Sequence, residues 1–318
     1  MTTAARRGLA VAVAVMIAGM ILLVAFSCVS RDDNPFAGRQ PYVWPGSAAA
    51  QAASEATGSE AEVLSHLAST PTAVWLTPEA HGTGGVADFV NGIARDADGR
   101  LVVYVVYGIT DRDCAGGEST GGLPPEDYRA WVEEIAGALA GDPVVVLEPD
   151  ALATLDECGS ADERIDLLSS AVDELGGAAS VYLDAGHSDW IDAGVMADRL
   201  RRAGVERARG FSLNVANYDS DADELAYAEQ IREHLPEAHY IVDSGRNGRG
   251  GVDGQWCNVE GRALGVASAA VEDGSALDAR WWIKPPGESD GQCRGGPPAG
   301  QFSVSLATEL AENAGLSQ

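Results

Sequence analysis

Seven short apolar runs, nearly all breaking off into polar residues, constrain this chain more than any other feature of its sequence. They cover residues 73–76, 101–107, 144–147, 181–183, 211–215, 240–242 and 281–283. The third is the sharpest. Val144–Leu147 is apolar without alternation, the pattern of a strand buried on both faces. Pro149 stops it, because proline has no amide N–H and a fixed φ. Asp150 is thereby delivered to a sheet rim, although the segment alone also allows it to be the N-cap of a following helix. Five of the other six end similarly, in Asp111 and Asp113, Asp184 and His187, Asn214 and Asn217, Asp243 and Arg246, and Lys284, Glu288 and Asp290. In a parallel α/β architecture such strand ends share one face, and ligands bind there.

Between the runs the apolar period changes to a helical one. Tyr128, Trp131, Val132, Ile135 and Leu139 share a face opened by Pro124-Pro125-Glu126 and closed by Gly141. Ser160 and Glu163 form a capping box for a helix carrying Leu167, Leu168, Val172 and Leu175. Asp221 with Glu224 opens another, which Pro236 ends, and an Ala- and Glu-rich helix is expected over 47–67. Strand–helix units of roughly 30 to 40 residues give right-handed crossovers and a parallel sheet. Seven of them suit a barrel or incomplete barrel. With 46% hydrophobic residues among 318, one sizeable core can form, so residues 47–318 are expected to be a single catalytic-sized domain.

Charge narrows the partners. Against 21 Lys and Arg stand 48 Asp and Glu, a formal charge of −27 that repels nucleic acid and anionic lipid surfaces but not a neutral polysaccharide. No GxGxxG or GxxxxGK[ST] follows any run, so no phosphate cradle for a nucleotide is present.

Arg6-Arg7 followed by an uncharged apolar stretch to about residue 30 reads as an export segment, a signal peptide or membrane anchor over 1–30. Cys28 gives a weak lipobox. Residues 31–46 read as a short linker and N-terminal segment, with no separate binding module expected. Export implies an oxidising compartment, in which Cys114, Cys158, Cys257 and Cys293 would pair. Three connectivities are open, of which 114 with 158 and 257 with 293 is the simplest. A zinc site is the competing reading, and the Cys and His spacing does not support it.

Three carboxylates from different runs, Asp113, Asp150 and Asp290, would meet at the rim. Carboxylates close together cannot all ionise freely, so one is pushed toward the acid form that a glycosidic oxygen needs for protonation. A calcium site or plainly solvated acids would be the simpler explanation, though Asp111-Arg112-Asp113 lacks EF-hand spacing. Tyr42, Trp44, Tyr107, Trp190, Trp256, Trp281 and Trp282 lie near run ends, where ring faces can stack on sugars. Trp281 and Trp282 are adjacent, so at most one should face the site.

The segments YGITDRDC (107–114), VLEPDALA (146–153), YLDAGHSDW (182–190), NVANY (214–218), WCNV (256–259) and WIKPPGESDG (282–291) occur in that order. Together they resemble glycoside hydrolase family 6, the inverting β-1,4-glucan hydrolases that include endoglucanases and cellobiohydrolases. The resemblance implies a distorted, incomplete, seven-stranded parallel α/β barrel. It also implies Asp150 as proton donor, Asp113 as the acid that raises its pKa, Tyr107 crowding the sugar at the cleavage point, and Ser119 holding the attacking water. Asp290 matches the residue proposed as base, a role that a water relay could replace. Lys284, Glu288, Trp282, Trp190, His187 and Asn217 match glucan-binding positions, and Tyr42 or Trp44 an aromatic platform. The family's usual bridges are Cys114–Cys158 and Cys257–Cys293.

Departures are visible. Asp219-Ser220-Asp221 stands where many members carry Trp, and Pro285-Pro286 and Ser289 replace the more usual Pro-Gly and Cys. Rim segments too short to roof a tunnel point to an open cleft and internal cutting. The expectation is an exported or surface-anchored monomeric endo-β-1,4-glucanase acting on β-1,4-glucan or cello-oligosaccharides, without metal or organic cofactor. An end-acting cellobiohydrolase and a non-catalytic glucan-binding protein are the alternatives.

Overall fold

Six of the seven apolar runs form strands in the computed structural model, which describes residues 33–316; the seventh, 281–283, contributes only Trp281 to a strand that begins earlier, at Leu277. The strands are β1 (Val74–Leu76), β2 (Val103–Val106), β3 (Val144–Leu147), β4 (Ser180–Asp184), β5 (Gly210–Leu213), β6 (His239–Asp243) and β8 (Leu277–Trp281), all paired in parallel. A two-residue β7 (Ala269–Ala270) adds an antiparallel edge beside β8, giving the order β1-β2-β3-β4-β5-β6-β8-β7. The curl brings the ends together through one parallel bridge, Thr72 to Trp282, where Ala73 N–H donates to the Trp282 carbonyl at 3.1 Å. This is the incomplete barrel expected from the sequence.

Alternation within the runs sorts residues to two cores, because successive strand side chains point to opposite faces. Val103, Val105, Val144, Val146, Tyr182, Ile241, Ala279 and Trp281 fill the barrel. Val102, Tyr104, Val106, Val145, Leu147, Val181 and Leu183 face outward. That outer layer contains α3 (Val86–Ala97), α4 (Pro125–Ala138), α5 (Ala161–Leu175), α6 (Ala193–Arg202) and α7 (Asp221–Arg232). A third cluster joins α2 (Gly58–Ser69) to α8 (Val304–Asn313) around Leu64, Leu67 and Leu310.

Helix ends largely follow the sequence. Ser160 caps α5 by accepting from Glu163 N–H, as the capping box requires. For α7 the cap is Ser220, while Asp221 accepts from Asn247 Nδ2 at 2.7 Å. The helix expected over 47–67 is two, α1 (Ala48–Glu55) and α2, broken where Ala56 and Thr57 adopt extended angles. Asp150 caps no helix: only turns follow it until α5.

Residues 34–46, expected as a linker and N-terminal segment, are woven into the barrel. Asn34 Nδ2 donates to the carbonyls of Val271 and Asp278 at 2.8 Å, and Phe36 lies inside against Tyr182 and Trp281. The expected signal peptide or anchor over 1–30 lies outside the described residues, among which no helix is long and apolar enough to cross a membrane.

Two sugar-binding expectations are corrected here. Trp282 is 1% exposed and belongs to the cluster of Leu64, Leu67 and Ala307, with its indole N–H donated to the Val266 carbonyl. Trp281 takes the inward position but is core, so neither ring meets the rim. Tyr42 is 3% exposed and pairs its N–H with the Leu101 carbonyl, at the end of β2 opposite the rim.

Trp282→Ala is expected to lower unfolding free energy by about 3–5 kcal/mol, as for a large core aromatic, read as a lower urea midpoint at unchanged m. A fully stable variant that binds glucan less well would return Trp282 to the cleft.

Candidate active site

The rim loops are set by carboxylates at the strand ends. Asp243, closing β6, accepts four amide N–H groups: Gly245 at 2.9 Å, Ile283 at 3.2 Å, Lys284 at 2.9 Å and Ala216 at 3.1 Å. Asp184, closing β4, accepts from the amides of Asp150 at 2.9 Å and Gly186 at 3.0 Å, and from the Ser212 hydroxyl at 3.2 Å. Glu148 does the same for Gly108 and Ile109, each at 3.0 Å. Burial pushes Asp243 up to about 6 and Glu148 to about 7, with these amide donors opposing the shift. Asp111, Asp113, Glu148, Asp150, Asn214 and Ala216 all take left-handed backbone angles at these strand ends. Such strain persists only where the surroundings over-determine it, and it concentrates at functional sites.

Asp150 is half-buried at the end of this scaffold, its amide held by Asp184. Loss of hydration and then the charge of Asp113 push its pKa up to about 7, against the attraction of His187 and Lys284, with Asp290 adding to the rise. Asp113 Oδ2 accepts from Glu118 N–H at 3.0 Å, Ser119 N–H at 2.6 Å and the Ser119 hydroxyl at 3.0 Å. The Tyr107 hydroxyl reaches Ser119 Oγ at 3.0 Å, completing a chain from Tyr107 through Ser119 to Asp113. Arg112 holds this loop by donating to the carbonyls of Tyr107 at 2.8 Å and Ser119 at 2.9 Å, with its guanidinium 4.6 Å from the Tyr107 ring centre.

Asp290 sits in a different environment. Arg246 Nη1 donates to both its oxygens at 2.9 Å, Tyr218 O–H and Asn258 N–H each donate at 2.9 Å, and Lys284 Nζ lies 3.7 Å away. Burial alone would raise its pKa. Arg246 and Lys284, with the two neutral donors, outweigh that and hold it below the usual carboxylate range. Glu288, beside the same cations, is instead pushed up to about 7 by burial.

His187, Trp190 and Asn217 lie half-buried along the rim beyond β4 and β5, the His187 and Trp190 rings 5.3 Å apart. His187 Nδ1 forms a 2.8 Å ion pair with Asp219, one of the residues that departs from the family pattern. Burial lowers the imidazole pKa, but Asp219, then Glu224 and Asp150, reverse this and raise it. Trp44 is not on the cleft side: it packs edge-on against Phe89 of α3, ring centres 5.8 Å apart, within the outer helical layer.

A further aromatic on the inner face of the barrel is Trp75, which sequence reasoning missed. It is the half-buried residue of β1, packed edge-on to Tyr107 at 5.4 Å, with Lys284 Nζ 5.6 Å from its ring centre and its N–H donated to the Ile283 carbonyl at 2.9 Å. The signal was its alternate position in β1, between two outward-packed neighbours. The disulfides are Cys114–Cys158 and Cys257–Cys293, the simplest pairing, and each ties two rim loops together. Among the described residues no group of three or more His, Cys, Asp or Glu is disposed to hold a metal ion.

Asp219→Asn removes the largest influences raising His187, so its imidazole should titrate at a lower pH, measured by NMR on the ring nitrogens. An unmoved titration would show that Asp219 does not govern its charge.

The sequence profile of Glycosyl hydrolases family 6 matches residues 36–314. The chain is 42% identical over 277 residues to endoglucanase A of Cellulomonas fimi, spanning 86% of this chain and 61% of that relative. It is 38% identical over 287 residues to endoglucanase 1 of Streptomyces halstedii, spanning 85% and 87%. The endoglucanase Cel6 of Mycobacterium tuberculosis, solved with methyl-cellobiosyl-4-deoxy-4-thio-β-D-cellobioside, superposes with a TM-score of 0.83 at 44% identity, over 89% of this chain and all of that one. The profile runs from Phe36, inside the barrel, to the residue after α8, and the chain belongs to glycosyl hydrolases family 6.

Proposed function

We propose that this protein hydrolyses internal β-1,4-glucosidic bonds of cellulose-like glucans with inversion of configuration, Asp150 acting as general acid. The observation that carries this reading is the Asp150 carboxyl, pushed up to about 7 and therefore able to remain protonated into the neutral range. Likeness to relatives named endoglucanases supports the substrate class.

In the proposed reaction Asp150 gives its proton to the leaving glycosidic oxygen while a water attacks the opposite face of the sugar. The water's proton passes to Ser119 Oγ as the serine's own proton moves to Asp113, across the 3.0 Å hydrogen bond between them. Asp290 is the poorer acceptor. Its oxygens are taken by Arg246, Tyr218 and the Asn258 amide, and its pKa is held low. It keeps Arg246 and Lys284 in place. Trp75 offers a ring face for stacking, while Lys284, Glu288, His187, Trp190 and Asn217 are the proposed hydroxyl and ring contacts. An exported location is proposed from the two disulfides and the apolar segment after Arg6-Arg7.

Asp150→Asn should lower hydrolysis of carboxymethylcellulose by at least about 100-fold, the usual scale of general-acid catalysis, while cello-oligosaccharide binding persists. Near-native turnover would sink the assignment, and silence of the unmodified protein with retained binding would favour a non-catalytic glucan binder. The first product observed by NMR should be the α-anomer; the β-anomer would rule out inversion. Asp113→Asn should shift the pH limb where activity falls with rising pH to lower pH, because Asp150 loses the charge that helps keep it protonated. An unmoved limb would remove Asp113 from that role.

A further inference from the structure

Glu118 makes a contact that the proposed chemistry does not use. Its Oε2 accepts the backbone N–H of Gln292 at 2.7 Å, joining residues 174 positions apart. The two loops concerned carry the proposed catalytic carboxylates: Glu118 lies five positions after Asp113, and Gln292 two after Asp290. They rise on either side of β1. One follows β2, the neighbour of β1 in the sheet, and the other follows β8, whose continuation bridges to the opposite edge of β1. At their roots they are two strand spacings apart, about 9–10 Å. Trp75 projects between them, with Tyr107 on one side and Lys284 on the other.

The contact is built rather than incidental. Asp113 fixes the start of the reach by accepting from the amides of Glu118 and Ser119. Gly291 provides the landing: a Cβ there would come within 2.2 Å of Glu118 Oε2 and 2.6 Å of its Cβ, so only glycine lets the side chain lie across this backbone. Each loop is also anchored by a disulfide, at Cys114 and at Cys293, which limits how far either can swing independently.

We propose that Glu118 is a strap across the cleft, and that its opening governs how often the enzyme engages the interior of a glucan chain. A chain end can enter beneath the closed strap, whereas a chain continuing on both sides must wait for the Glu118–Gln292 contact to break. The open cleft expected from short rim segments is thereby crossed at one point. The determinant is reach rather than charge, since the partner is a neutral amide N–H that any suitably placed oxygen can accept.

This inference rests on the glucanase reading, and the test separates the two. Wild type, Glu118→Asp and Glu118→Gln are compared on cellotetraose, and on carboxymethylcellulose for viscosity lost per reducing end released. Asp keeps the charge but is one methylene too short; Gln keeps the reach and an acceptor oxygen. Cellotetraose turnover should be unchanged in both variants. Glu118→Asp should raise viscosity loss per reducing end by about threefold, the scale of one net hydrogen bond in an opening equilibrium, while Glu118→Gln stays at the wild-type value. Cellotetraose cleavage with a wild-type ratio in Glu118→Asp overturns the strap alone. A rise in Glu118→Gln equal to that in Glu118→Asp also overturns it, because charge would then be the determinant. A wild-type protein that cleaves neither substrate overturns the glucanase reading and the strap with it.

Discussion

A buried carboxylate that accepts backbone amides is the interaction on which the rest of this site depends. Asp243 gathers N–H groups from three separate segments, at Ala216, Gly245 and Ile283–Lys284, into one point at the end of β6. Burying an ionised carboxylate costs several kcal/mol unless its oxygens are satisfied, and four donors do that here. The same arithmetic makes the loops hard to rearrange: moving one away would leave the charge short of partners. Asp184 and Glu148 repeat the arrangement at the ends of β4 and β3, so Asp150 is held at its amide by a neighbouring strand. The left-handed angles at Asp150 and Ala216 are sustained by these clamps.

Within that frame one residue type takes opposite electrostatic roles according to its partners. Asp150 has lost hydration beside Asp113 and is raised, while Asp290, no less enclosed, is lowered because Arg246 and Lys284 face it. Asp278, at the other end of the barrel, is also lowered, by a bidentate Arg209 with His239 and Tyr182. The first environment raises a carboxyl toward neutral pH; the other two make fixed anions that organise cations.

Much of this was legible before folding. Val144–Leu147 ending in Glu148-Pro149-Asp150 located both the strand and the carboxylate at its rim end, because uninterrupted apolar residues and proline act locally. The aromatics were not legible in the same way. Trp282 and Tyr42 lie in segments that suggested sugar contacts, yet one ring turns into the α2–α8 cluster and the other joins the outer core. Trp75, in a run too short to show its alternation clearly, lies on the inner face of the barrel. Helix starts show a similar limit: Ser220 rather than Asp221 caps α7, because Asp221 is drawn to Asn247 and Arg280 across the rim.

The amino-acid order by itself determined six of the parallel strands, the helices that follow Pro124, Ser160 and Ser220, and the family, since each depends on short-range periodicity and on residue types within a few positions. Tertiary structure alone decided which carboxylate is raised and which lowered, that Trp75 lies half-buried on the inner face of the barrel, and that Glu118 meets Gln292. Those properties depend on distances between segments that are far apart in sequence. A pKa is set by the charges and solvent around a group, and a ring's exposure by the curl of a sheet that closes only when β1 meets the end of β8.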